Sequence, residues 1–180
     1  MRRFLAMLLF SLLTLGGLAQ VFPLREYGKL VFYPVGEWKF GSEDMGDLKI
    51  VIAPKRARDN AVATFTVAAG GADEFSTPEK LTHQLKEVAQ RLAEGGEFAE
   101  RKATLKPIYC TQGFGFYFVF SDAKLAGRPV VPGDYKKICL GMIRVNANVM
   151  VRLQILSDGE ETEAFQQLLG MVEGMELHAK

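Results

Sequence analysis

The chain has 180 residues, 48% of them hydrophobic and 24% charged, with 22 basic side chains against 21 acidic ones. This composition excludes a disordered protein and suits a domain with a substantial core. The balanced charge excludes a chain that works by general attraction to nucleic acid or anionic lipid.

Met1-Arg2-Arg3 gives a basic start, residues 4–15 are almost wholly apolar, and the small residues Gly17 and Ala19 precede Gln20. That order reads as a secretory signal peptide over residues 1–19, cut after Ala19. The apolar run is about a dozen residues, whereas a spanning helix needs ~20. No cysteine stands at the cut, which argues against a lipoprotein. Phe4 and Leu5 follow the arginine pair one position too early for a twin-arginine signal. The expectation is export by the general secretion route to a periplasmic or secreted location. It leaves no membrane span after cleavage and a single domain over residues 20–180.

Residues 30–33 read as the first strand, stopped by Pro34, and residues 35–38 as a turn whose Trp38 packs over the core edge. Residues 48–53 and 61–69 read as two further strands joined by a polar tip. Ser76-Thr77-Pro78-Glu79 starts a helix, capped either by Ser76 with Glu79 reciprocating or by Thr77 with Pro78 in the first turn. Leu81, Leu85, Val88 and Leu92 form its apolar stripe, with Lys80, His83, Lys86, Glu87 and Arg91 off it; Gly95-Gly96 ends it.

Residues 98–108 read as a polar-faced strand near an edge. In the next strand Phe114, Phe116, Phe118 and Phe120 share one buried face, and Gly113 and Gly115 lie on the other. Residues 135–145 and 149–156 form a hairpin around Asn146-Ala147-Asn148, with Val149, Val151, Leu153 and Ile155 facing inward. Ser157-Asp158-Gly159-Glu160 reads as a capping box for a second helix striped by Phe165, Leu168, Leu169 and Val172. The expected fold class is α+β: an antiparallel β-sheet of about seven strands covered by two main helices.

Cys110 and Cys139 are the two cysteines. An oxidising compartment permits a disulfide between them. A simple hairpin register offsets them by about seven residues, or ~23 Å at the strand rise, against the ~7 Å that a bridge tolerates. The alternative is two buried free thiols.

This element order resembles the PsbP-like α/β/α sandwich family. The resemblance spans about residues 28–177. It rests on Tyr33-Pro34 and Trp38 closing the first strand, the helix opening at Pro78-Glu79, the aromatic strand ending Phe120-Ser121-Asp122, and the C-terminal helix. The resemblance implies a binding or assembly module of the bacterial secreted branch rather than an enzyme, and carries over no functional residue.

Residues 70–75, Gly-Gly-Ala-Asp-Glu-Phe, look like a cyclase signature broken by an inserted alanine, and Gly113-x-Gly115 lacks the third glycine of a dinucleotide fingerprint. Glu79, His83 and Glu87 share one helical face, but three surface groups without a fourth ligand are read as solvated side chains. No nucleophile elbow or metalloprotease motif is present. No cofactor and no metal is therefore expected. The candidate contacts for a ligand or partner are Arg144 and Arg152, on facing strands with Glu97 or Glu100 as candidate counter-ions, together with Trp38 and Tyr117. The leading expectation is an exported, non-enzymatic binding or assembly module for a protein partner or envelope component. The alternative is an envelope hydrolase with an unrecognised active site.

Overall fold

The computed structural model describes residues 18–44, 47–56, 60–70, 73–96, 98–129, 131 and 133–180. Residues 1–17 of the expected leader, Gly71 and Ala72 of the glycine–acid motif, and Glu97 lie outside the described residues. Among the described residues no helix is long and apolar enough to cross a membrane.

The main sheet has seven antiparallel strands: β3 (Trp38–Asp44), β4 (Leu48–Pro54), β5 (Ala61–Ala69), β6 (Lys106–Ile108), β7 (Phe114–Ser121), β8 (Lys137–Arg144) and β9 (Val149–Ser157), in the spatial order β3-β4-β5-β9-β8-β7-β6. A second sheet of β1 (Gln20–Pro23), β2 (Lys29–Phe32) and β10 (Glu176–His178) has β2 at its centre. Among the described residues the α-helices are α1 (Pro78–Glu94) and α2 (Glu163–Glu173). The class is the α+β sandwich that the alternating strands and amphipathic stripes imply.

The central strands set the two faces. In β5 Ala61, Ala63, Phe65 and Val67 are buried, and the residues between them are half-buried. Register pairs Phe65 with Leu153 and Ile50, and β9 carries Val151 and Ile155 on the same side. The small sheet and α2 close this face, with Phe32 set 5.3 Å from Phe65 and Phe165, Leu168 and Val172 packed from the helix. On the opposite face the phenylalanine comb of β7, with Leu140 and Met142 of β8, takes Leu81, Leu85, Ala89 and Ala93 of α1. The comb is therefore covered by α1 in its own layer, while Tyr117 of the same strand points into the main core. A Cβ on Gly115 would lie 2.8 Å from Ile143 Cγ1 and 3.0 Å from the Met142 carbonyl oxygen, so the close approach expected there comes from strand β8.

Several local expectations are corrected by tertiary pairing. The strand expected at residues 30–33 is β2 (Lys29–Phe32) of the small sheet, ending before Tyr33, and Trp38 opens edge strand β3 instead of lying in a turn. Residues 98–108 pair only at Lys106–Ile108, with Phe98 bridged singly to Asp122. Ala103 and Leu105 pack into the aromatic layer, which draws the backbone off the sheet edge. At the C-terminal end, where the sequence reads His178 as part of a disordered tail, β10 pairs His178 with Lys29. Of the two caps offered for α1, Thr77 holds: its Oγ1 accepts from Lys80 N–H at 3.3 Å, while the Ser76 hydroxyl donates to the Asp73 carbonyl at 2.7 Å. For α2 the cap is Thr162, accepting from Phe165 N–H at 3.3 Å. Ser157 cannot serve because it ends β9, buried, pairing Ala61 and Lys137 on its two sides.

Candidate functional site

The structure separates the contacts that the sequence grouped. Arg144 pairs with Met150 and Arg152 with Met142, so the two arginines are diagonal neighbours on the α1 side of the sheet. Arg144 donates to the Ala147 carbonyl at 2.9 Å, tying its own hairpin tip. Arg152 reaches Asp47 at 3.3 Å across exposed surface, an ion pair of small worth. Trp38 is buried, its Nε1 shared between the Val35 carbonyl at 2.9 Å and Gln167 Oε1 at 3.1 Å. Tyr117 is 8% exposed, with Lys106 Nζ 5.9 Å from its ring centroid.

Cys110 and Cys139 are free thiols. Ile108 pairs with Gly115 and Val119 with Cys139, so β7 stands between the two cysteines. Burial pushes the Cys110 thiol up to about 11, with the Glu173 carboxylate adding to it, and burial raises the Cys139 thiol further. At neutral pH both are protonated, the state in which a thiol is a poor nucleophile.

Glu100 does not serve the arginines. It accepts from the Ser121 N–H at 2.6 Å and from the Ser121 hydroxyl, whose oxygen accepts in turn from Lys137 Nζ at 2.8 Å. Burial pushes the Glu100 carboxyl up, but the Ser121 hydrogen bonds and the Lys137 charge outweigh it and hold it below the usual carboxylate range. Among the described residues this is the set that most resembles a serine nucleophile with a base. A carboxylate of lowered pKa is a weak proton acceptor, and the Ser121 N–H that could bind an oxyanion is already taken. The geometry is that of a clamp. It fixes residues 98–105 to the end of β7, helped by Ala99 N–H donating to the Ser121 carbonyl at 3.0 Å and by Phe98 stacked on Phe120 at 4.7 Å.

The clamped segment and α1 enclose a groove of about 750 Å³. From the helix come His83, Lys86, Glu87, Ala89, Gln90 and Arg91; from the segment, Lys102, Ala103 and Leu105. Ala89, Ala103 and Leu105 are its apolar floor. His83 pairs with Glu87 at 3.2 Å, and Gln90 donates to Glu94 at 2.7 Å. Lys86 and Lys102 stand on opposite walls, and neither makes an ion pair with an acidic side chain among the described residues. The arrangement can hold an anion beside an apolar body. In the sequence His83, Lys86 and Gln90 sit on the solvated flank of the helix. The signal was their spacing of three and four residues together with the basic Arg101-Lys102 after a Gly-Gly turn; only the packing of residues 98–105 makes a site of it.

The fold is an antiparallel α/β/α sandwich, with one helix on each face of the main sheet. No protein-family model and no curated protein sequence matches the chain. Among solved structures the chain is similar to the Saccharomyces cerevisiae Ran-binding protein Mog1p, at 12% identity and TM-score 0.46, covering 88% of this chain and 95% of that one. It is also similar to a mutant of the protein Mog1, at 15% identity and TM-score 0.45, covering 90% and 97%. The PsbP-like assignment is corrected by these matches, which are to Mog1 structures and not to PsbP. The residues that carried it mark element ends: Tyr33-Pro34 leaves the small sheet and Trp38 enters the large one. Such punctuation follows from the layering and does not separate one family from another.

Proposed function

We propose that this protein is an exported, non-enzymatic binding module that works through the groove between α1 and residues 98–105. The groove carries the reading: an apolar floor lies between cationic walls, and its second wall is held by a dedicated clamp. Against the hydrolase alternative stand two thiols kept protonated by burial, histidines paired with carboxylates at the surface, and a Ser121 hydroxyl committed to the clamp. Export is supported by the basic start and short apolar run, and by β1 opening at Gln20, so that a cut after Ala19 leaves every described element intact.

The test is binding of anilinonaphthalene sulfonate, an anionic amphiphile, followed by its fluorescence. Saturable binding by the native protein is expected, with loss in Lys86→Glu/Lys102→Glu and in Ala103→Trp, which fills the floor. Lys39→Glu, on the far edge strand, is expected to bind normally. Equal binding by all variants would remove the groove as the site.

A further inference from the structure

We infer that the occupant of the groove is an acidic segment of a partner protein, with a bulky apolar side chain on the floor and carboxylates on either side. The inference rests on the groove being the binding site and adds the chemistry of what fills it. Ala89 and Ala103 end at Cβ and line the groove with Leu105, and its volume of about 750 Å³ has room for a branched or aromatic side chain. Lys86, from the helix, and Lys102, from the returning segment, both line the groove, and neither has an acidic partner among the described residues. Glu87, the carboxylate on the rim, is taken by His83 at 3.2 Å. The complementary ligand carries carboxylates to either side of an apolar group.

Length and shape favour a polymer. The helix from His83 to Gln90 runs about 10 Å at the helical rise, the span of roughly three extended residues. The trough has two walls and lies open between them, whereas a small-molecule site encloses about 70–90% of its ligand. A peptide lying along it buries one side chain and keeps its polar edge in water.

The experiment is fluorescence anisotropy of the native protein with a fluorescein-labelled peptide of about ten residues centred on Glu-Leu-Glu. Saturable binding is expected. It should weaken about tenfold or more in Lys86→Glu/Lys102→Glu and fall with added salt. Gln-Leu-Gln and Glu-Ala-Glu peptides should each bind more weakly. The milder Lys86→Gln/Lys102→Gln pair gives an intermediate loss and guards against misfolding, checked by melting. Equal affinity for Gln-Leu-Gln overturns the acidic assignment. Dodecanoate bound in the groove while the peptide is refused overturns the peptide and leaves the groove standing. A dimer in sedimentation that the lysine variants dissociate names a second copy as occupant and overturns the inference. If the peptide, dodecanoate and the sulfonate dye all fail, the groove falls with it.

Discussion

Replacing Glu100 with Gln tests the clamp that builds the groove. The carboxylate accepts two hydrogen bonds from Ser121, from its N–H and its hydroxyl, and lies near Lys137 Nζ at 3.9 Å. Hydrogen bonds to a charged group contribute roughly 1.5–3 kcal/mol each. The glutamine keeps one acceptor and turns an amine toward the other donor. The Glu100 side chain is 35% exposed, so solvent screening trims the total. The expected cost is about 2 kcal/mol at neutral pH, a fall in Tm of about 4–8 °C for a domain of this size. The folded pKa of Glu100 is lowered, so its contribution is complete above the unfolded value near ~4.3 and is lost as pH falls through the folded one. Urea melts of wild type and Glu100→Gln should therefore differ by a constant amount from about pH 6 to pH 8, begin to converge below the unfolded value near ~4.3, and meet only once pH has passed the folded one. Amide exchange at residues 99–105 should quicken in the variant. A difference under about 0.5 kcal/mol at neutral pH, or one that persists unchanged in acid, refutes the clamp.

The other predictions concern packing, caps and thiols. Phe118→Ala should cost about 3–5 kcal/mol in denaturant melts, because the ring is fully buried between β7 and α1; a loss below about 1 kcal/mol means the aromatic layer is misplaced. Thr77→Ala and Thr162→Ala should each cost about 1 kcal/mol through lost caps, and Ser76→Ala less than either. The reverse order moves the start of α1. Gly115→Ala should destabilise by about 1–3 kcal/mol, since its Cβ would meet Ile143 and the Met142 carbonyl; a neutral change contradicts the β7–β8 packing. Cys110 should label slowly with a disulfide reagent at pH 8 and faster as pH approaches about 11, with Cys139 protected until unfolding. Rapid labelling of both at neutral pH contradicts their burial.

Long periodic segments were legible in the sequence because one residue pattern served one environment. Val149, Val151, Leu153 and Ile155 could only face a core, and the comb of Phe114 to Phe120 could only be covered. Short edge elements were not legible. β3 is Trp38–Asp44, with Gly41, Ser42, Glu43 and Asp44 all exposed, so its strand character comes from pairing with β4 and leaves no alternation to read. Ser157 offered a sound capping pattern, but ladder partners on both sides outweighed one cap. The groove was least visible. Lys86 looks like any solvated lysine until residues 98–105 fold back beside it, and that return depends on Glu100 finding Ser121 twenty-one residues on. Arg144 and Arg152 drew notice as cations within a sheet, yet each is engaged locally, at Ala147 and at Asp47.

Amide chemical-shift mapping during titration with the Glu-Leu-Glu peptide is the most direct measurement. It weighs the groove against its rival, the half-exposed α1-side surface of β4, β5 and β9 around Val51, Thr64 and Leu156. Binding in the groove predicts saturating shifts at His83, Lys86, Gln90, Lys102 and Ala103, with that sheet surface still. Shifts confined to Val51, Thr64 and Leu156, with α1 unmoved, would contradict it.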